Sequence, residues 1–228
     1  MNSAIVTTTT GRAPVPNEGH LLAALRDLMP RRATPLNLDE ALQIAERQAG
    51  RLRRELGLHS TPALPTSIVG ALPFVRVTHE PQLPAPGLLL GTDLGWVIAL
   101  NAEDIHARQR FTTLHELKHL LDDPFVTGAQ LDPLAERVCN HFAACALMPR
   151  GLIKRDWGNR IQHPATLAKR YAVSLQAMTI RLRTIGLVTP LRRGDRPDLN
   201  AAELRQLATK LRRAWQPPAG SVPITEAS

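Results

Sequence analysis

The sequence is poor in aromatic residues, holds only two cysteines and has no long apolar run. With three Trp, one Tyr and four Phe in 228 residues, the core must be built mainly from Leu, Ala, Ile and Val. Cys139 and Cys145 lie six residues apart in a helical pattern, on different faces, which excludes a disulfide and leaves two neutral or buried thiols. No segment approaches the length of a membrane span. The first twenty residues carry a TTTT run and two prolines but no apolar stretch of the kind a signal peptide needs. The expected setting is therefore the cytoplasm, with no membrane association.

What is present is the composition of a globular protein, 43% hydrophobic and 21% charged, long enough for one large domain or two small ones. The net charge of +8 is unevenly spread. Residues 1–149 carry 13 Lys/Arg against 15 Asp/Glu, whereas residues 150–215 carry 15 against 4. The basic character belongs to the C-terminal third. Such a segment suits DNA or an acidic protein surface, or is simply a solvated face.

Residues 1–19 read as a disordered leader. A short helix over 20–29 closes at Pro30, and a linker follows. Asn37 with Glu40 has the form of a capping box opening a helix with an apolar stripe of Leu38, Ala41, Leu42, Ala45, Ala49, Leu52 and Leu56. Between residues 62 and 101 the pattern turns to short β-like runs at 74–77, 87–90 and 96–100, punctuated by Pro84, Pro86, Gly91 and Gly95. The expectation is a small antiparallel sheet, its last two strands joined as a hairpin. Helices follow at about 103–121, 132–148 (stopped by Pro149), 164–171, 174–185 and 200–215, before a C-terminal tail. The fold class is α+β.

The chemistry concentrates in HELKH at residues 115–119. Histidines at i and i+4 project from one helix face and can reach a single ion. A carboxylate after the first histidine, Glu116, lies beside that ion and can take a proton from a water. In a chain with eight His and ten Glu, chance alone gives HExxH about once in a hundred such sequences, so further support is needed. Zinc requires a third protein ligand, and Glu136, Asp122 and Asp123 compete for the place. A ligand from a separate helix closes the tetrahedron from another side more readily, which favours Glu136. Asn140, one turn after Glu136, points toward the same space and can accept the free N–H of a ligand histidine, or serve as a packing amide. His141, on an adjacent face, is left unassigned.

RQRFTTLHELKH at 108–119, ERVCNHFAACALMP at 136–149 and TLAKRYAVSLQAMTIRLRTIGLV at 166–188 together resemble the ImmA/IrrE family of metallo-endopeptidases. Three linked motifs in consistent order are far more specific than HExxH alone. Lys118 departs from a frequent glycine, Cys139 from alanine and Ala146 from leucine, and none of these changes removes a catalytic group. The resemblance implies zinc held by His115, His119 and Glu136, with Glu116 as the catalytic carboxylate. It also implies a zincin-like domain over 20–150, a helix-turn-helix-like part over 151–190, and a basic C-terminal helix and tail over 191–228. It further implies an endopeptidase whose substrate is a helix-turn-helix repressor, and whose action relieves repression of stress-response or mobile-element genes.

The residues themselves also support a rival reading. In it, 165–187 fold as helix, turn and helix with Ser174 as N-cap. Leu167, Ala168, Tyr171, Met178, Ile180, Leu182 and Ile185 pack inward, while Arg181 and Arg183 are presented outward toward DNA. The chain would then be a DNA-binding or anti-repressor protein acting without proteolysis. An open His/His/Glu site beside a glutamate is nonetheless the pattern of catalytic rather than structural zinc. For a peptidase, the substrate strand is expected along an exposed edge at 96–100, and Arg110, His141 and Tyr171 are the candidates to stabilise an oxyanion.

Overall fold

A computed structural model describes residues 18–30, 36–122 and 133–188. Residues 1–17 of the expected leader, the 31–35 linker, the connection over 123–132 and the helix expected at 200–215 lie outside the described residues, while residues 18 and 19 of that leader already belong to the first helix. The elements run α1 (Glu18–Arg26), α2 (Leu38–Glu55), a 3-10 turn (Thr66–Ala71), β1 (Val75–Glu80), β2 (Gly87–Thr92), β3 (Gly95–Asn101), α3 (His106–Asp122), α4 (Pro133–Leu147), α5 (Arg150–Gly158), α6 (Pro164–Tyr171) and α7 (Leu175–Thr184). This is a mixed α+β arrangement with one three-stranded sheet. Chain contacts divide the molecule after Leu187, so all these elements belong to its first unit.

Helix α2 starts where its capping box dictates. The Asn37 side chain accepts from the Glu40 N–H and the Glu40 carboxylate accepts from the Asn37 N–H, each at 3.0 Å, satisfying two otherwise orphaned donors. Its stripe then buries Ile44, Ala45, Ala49 and Leu52. Helix α2 packs along α4, α4 along α3, and α3 covers the sheet. Leu52, Ile98, Leu114, Leu117, Phe142 and Leu147 lie fully inside, so the core is aliphatic as the composition requires.

The sheet order is β1-β3-β2, with β2 and β3 antiparallel and β1 parallel to β3. The expected hairpin is present, but the sheet is mixed rather than antiparallel. The cause lies in β3, where the consecutive residues Ile98, Ala99 and Leu100 are all buried. A strand withdrawn on both faces takes the central place. Since β1, β2 and β3 alternate in direction, a central β3 makes β1 its parallel neighbour. Gly95, at φ 127°, allows the close approach of these two strands: a Cβ there would meet the Phe74 carbonyl oxygen, and would lie 2.7 Å from the Phe74 Cβ. The edges of the sheet are therefore β1 and β2. The stretch 96–100, expected to offer an edge to a substrate, is paired on both sides.

At its C-terminal end α4 is tied down by buried arginines. Arg53 of α2 donates from Nη1 to the Ala146 carbonyl at 2.8 Å, and Arg181 of α7 from Nε to the Met148 carbonyl at 3.0 Å. Carbonyls in a last helical turn have no intrahelical partner, and guanidinium groups satisfy them here. Arg181 is thus 4% exposed, not presented outward, and Ile180, expected to pack inward, is 55% exposed. Leu167, Ala168, Tyr171, Met178 and Leu182 are buried. The α6–α7 turn closes through Ala172 in the left-handed region at φ 52°, and the Ser174 hydroxyl accepts from the Ala177 N–H at 3.1 Å.

Helix α5 has no counterpart in the sequence expectation. Pro149 ends α4 and at once precedes α5, at φ −61° and ψ 129°. From α5 the buried Asp156 accepts from Tyr171 Oη and Arg170 Nε, each at 2.8 Å. No helix among the described residues is long and apolar enough to cross a membrane.

Candidate metal centre

Helix α3 places His115 and His119 one turn apart on one face, their Nε2 atoms 3.1 Å from each other. The first turn of α4 brings Glu136 against both. Its Oε2 lies 3.3 Å from His115 Nε2 and its Oε1 3.0 Å from His119 Nε2. A tetrahedral zinc with bonds of 2.0–2.1 Å separates its ligand atoms by about 3.3–3.4 Å. The spacing of the three donors is close to that of the edges of such a tetrahedron, and their chemistry is that of a borderline divalent ion.

Asn140 sits behind His115. The His115 Nδ1–H donates to Asn140 Oδ1 at 3.1 Å, which fixes the tautomer and leaves the Nε2 lone pair facing Glu136 and His119. Burial holds the His115 pKa below its usual value, against the pull of the Glu136 charge. The imidazole is therefore neutral near pH 7, as a metal ligand must be.

Glu116 is 9% exposed. Burial first, then the nearby Glu136 charge, pushes its pKa up to about 7, a value suited to accepting and returning a proton at neutral pH. Its surroundings include β2. A Cβ built on Gly87 would strike Thr112 Cγ2 and stand 3.2 Å from Glu116 Oε1. Only a residue without a side chain lets this edge strand pass so close to the glutamate. Nothing in the sequence pattern marks Gly87 for that place, since it reads there only as the first residue of the run at 87–90.

The competing carboxylates are elsewhere. Asp122 forms an ion pair with the buried Lys118, and Asp123 lies outside the described residues. Of the groups considered for an oxyanion, Tyr171 is fully buried and donates to Asp156, and His141 lies against Cys145 at 3.4 Å. Arg110 is buried and lines a cavity of about 430 Å³ with His79 and His106. None of the His115 cluster lines that cavity. Cys139 and Cys145 are buried free thiols.

Residues 74–183 match a peptidase-family profile described as the IrrE N-terminal-like domain. The matched segment is a domain of the ImmA/IrrE family. Within it, the radiation response metalloprotease IrrE of Deinococcus radiodurans is 34% identical over 135 residues, covering 49% of this chain and 41% of that protein. The ImmA/IrrE chain described here thus spans less than half the length of that relative. A solved structure of a Mycobacterium tuberculosis transcriptional regulator aligns at a TM-score of 0.49 with 16% identity, over 72% of this chain and 51% of that one. That likeness is too distant to bear on function.

Proposed function

We propose that this ImmA/IrrE member is a zinc-dependent endopeptidase, with His115, His119 and Glu136 as the metal ligands and Glu116 as the catalytic carboxylate. The observation that carries this reading is the convergence of three donors on α3 and α4 at 3.0–3.3 Å, with Glu116 on the next position of the same helix. Zinc held there supplies Lewis acidity to a scissile carbonyl and to a water. Glu116 takes the proton of that water as it adds to the carbonyl carbon, then passes the proton to the leaving amine. Asn140 holds the His115 ring in position. The substrate lies extended along β2, the sheet edge that runs beside Glu116, and adds a strand through main-chain hydrogen bonds. The small sheet with α3 and α4 is read as zincin-like, and the α6–α7 pair as helix-turn-helix-like.

The substrate class, a helix-turn-helix repressor of stress-response or mobile-element genes, follows from the family resemblance. The basic C-terminal third fits a role in docking such a repressor or the DNA it occupies. A recognition role for α7 in DNA binding is weakened by the inward turn of Arg181.

The test is to incubate the zinc-loaded chain with candidate helix-turn-helix repressors from the same organism and to map new termini by mass spectrometry. Cleavage by the wild type and none by Glu116→Gln, with zinc content unchanged in that variant, is the expected result. Equal cleavage by Glu116→Gln would overturn the mechanism, and no cleavage by the wild type would overturn the substrate assignment.

A further inference from the structure

A second group of metal-ligating side chains lies on another face of α4. His141 and Cys145 stand one helical turn apart, with Nε2 and Sγ at 3.4 Å, and Glu46 of α2 faces them. The three donor atoms all lie within 4.8 Å of one another. A tetrahedral zinc with a nitrogen bond near 2.05 Å and a sulfur bond near 2.3 Å separates those two atoms by about 3.5 Å, close to the distance between His141 and Cys145. Cys145 is 4% exposed, while the Glu46 side chain is 48% exposed, so the group is open to solvent at its carboxylate end and closed at its thiol end.

Among the described residues, the remaining charged group facing the cluster is Arg181 of α7. Its Nε is engaged by the Met148 carbonyl, and its Nη2 stands 3.9 Å from Glu46 Oε1 with no hydrogen-bond partner. Burial pushes the Cys145 thiol up to about 11, and Arg181 beside the sulfur offsets part of that rise by favouring the thiolate, the form that ligates metal. Burial and Arg181 together keep His141 neutral. The cluster therefore combines a soft sulfur, an imidazole and a carboxylate, a donor set that selects zinc-like ions over calcium or magnesium.

We propose that Glu46, His141 and Cys145 form a second divalent-metal site, distinct from the His115 cluster, which takes a thiophilic ion of the zinc class and clasps α2 to α4. On binding, Cys145 releases its proton to solvent as the metal–sulfur bond forms, and Arg181 offsets the charge of the thiolate. This site does not depend on the peptidase reading, because it shares no ligand with the His115 cluster.

Cobalt(II) distinguishes the two sites. The His115 cluster contains no sulfur, so a sulfur-to-cobalt charge-transfer band in the near ultraviolet reports on the second site alone. Titration of the metal-free full chain should show two equivalents bound and that band. Cys145→Ser and His141→Ala should each lose the band and one equivalent, while His115→Ala and Cys139→Ser should keep the band. Glu46→Gln, a near-isosteric change at a half-exposed side chain, should weaken cobalt binding at this site at least tenfold. Absence of the band in the wild type, its survival in Cys145→Ser, or unchanged affinity in Glu46→Gln would each overturn the proposal.

Discussion

Glu116→Gln should stabilise the metal-free protein, and by an amount that grows with pH. In the fold, burial raises the Glu116 pKa from the ordinary 4.5 to about 7. The folded state therefore binds more protons than the unfolded chain between these values, so stability is lost as pH rises through that window. Ionised on both sides above it, the carboxylate leaves a constant penalty of about 3 kcal/mol, and at about pH 5 the penalty is only about 1 kcal/mol. Glutamine has nearly the same shape and no charge, so it escapes the penalty. Urea denaturation of both proteins, stripped of metal with a chelator, would measure it. The stability difference should widen by about 2 kcal/mol between about pH 5 and about pH 8 in favour of the glutamine variant. A difference that stays flat with pH would mean that Glu116 ionises as freely in the fold as in the unfolded chain, refuting the argument that burial sets its proton affinity. The same replacement is expected to abolish cleavage, so the residue trades stability for chemistry.

Three other substitutions test the surroundings of the site and the fold. Asn140→Ala removes the acceptor for His115 Nδ1 and should weaken zinc binding about 10- to 100-fold in a chelator competition, whereas unchanged affinity would show that the ring is held by packing alone. Gly87→Ala forces a methyl group against Thr112 and Glu116. It should cost about 1–3 kcal/mol by chemical denaturation and lower kcat/KM; a variant as stable and active as the wild type would contradict the close approach of β2. Asp156→Ala leaves the buried Tyr171 hydroxyl and Arg170 without their shared acceptor. A loss of about 3 kcal/mol is expected, and a loss well below 1 kcal/mol would mean that this junction of α5 and α6 contributes little.

Legibility from sequence follows the range over which each signal acts. The Asn37–Glu40 cap, the HELKH spacing and the 87–101 hairpin are local patterns, and the chain obeys them. The sheet is different. A run of apolar residues identifies a strand but not the edge on which a neighbour docks, and the double-sided burial of β3 put β1 beside it in parallel. Helix α5 is hidden in the sequence because Pro149, a stop for α4, also permits a fresh start one residue on. Arg181 departs from its pattern for a related reason: charge in a helical pattern suggests solvent, yet the Met148 carbonyl is a strong enough partner to draw a guanidinium inside. The Glu46, His141 and Cys145 group joins helices far apart in sequence, and no spacing rule reaches across that distance.

The arginine ties at the end of α4 bear on how this chain can change. Glu136 sits in the first turn of that helix, while Arg53 and Arg181 grip its far end and α2 and α3 hold its flanks. Its position is thus set by a docked rod of about four turns rather than by the connection that leads into it. Insertions or deletions between residues 123 and 132 should consequently be tolerated with the glutamate still facing the histidines. A substitution near Ala146 or Met148 would loosen the arginine ties first and, through the rod they hold, reach the donor cluster a full helix length away.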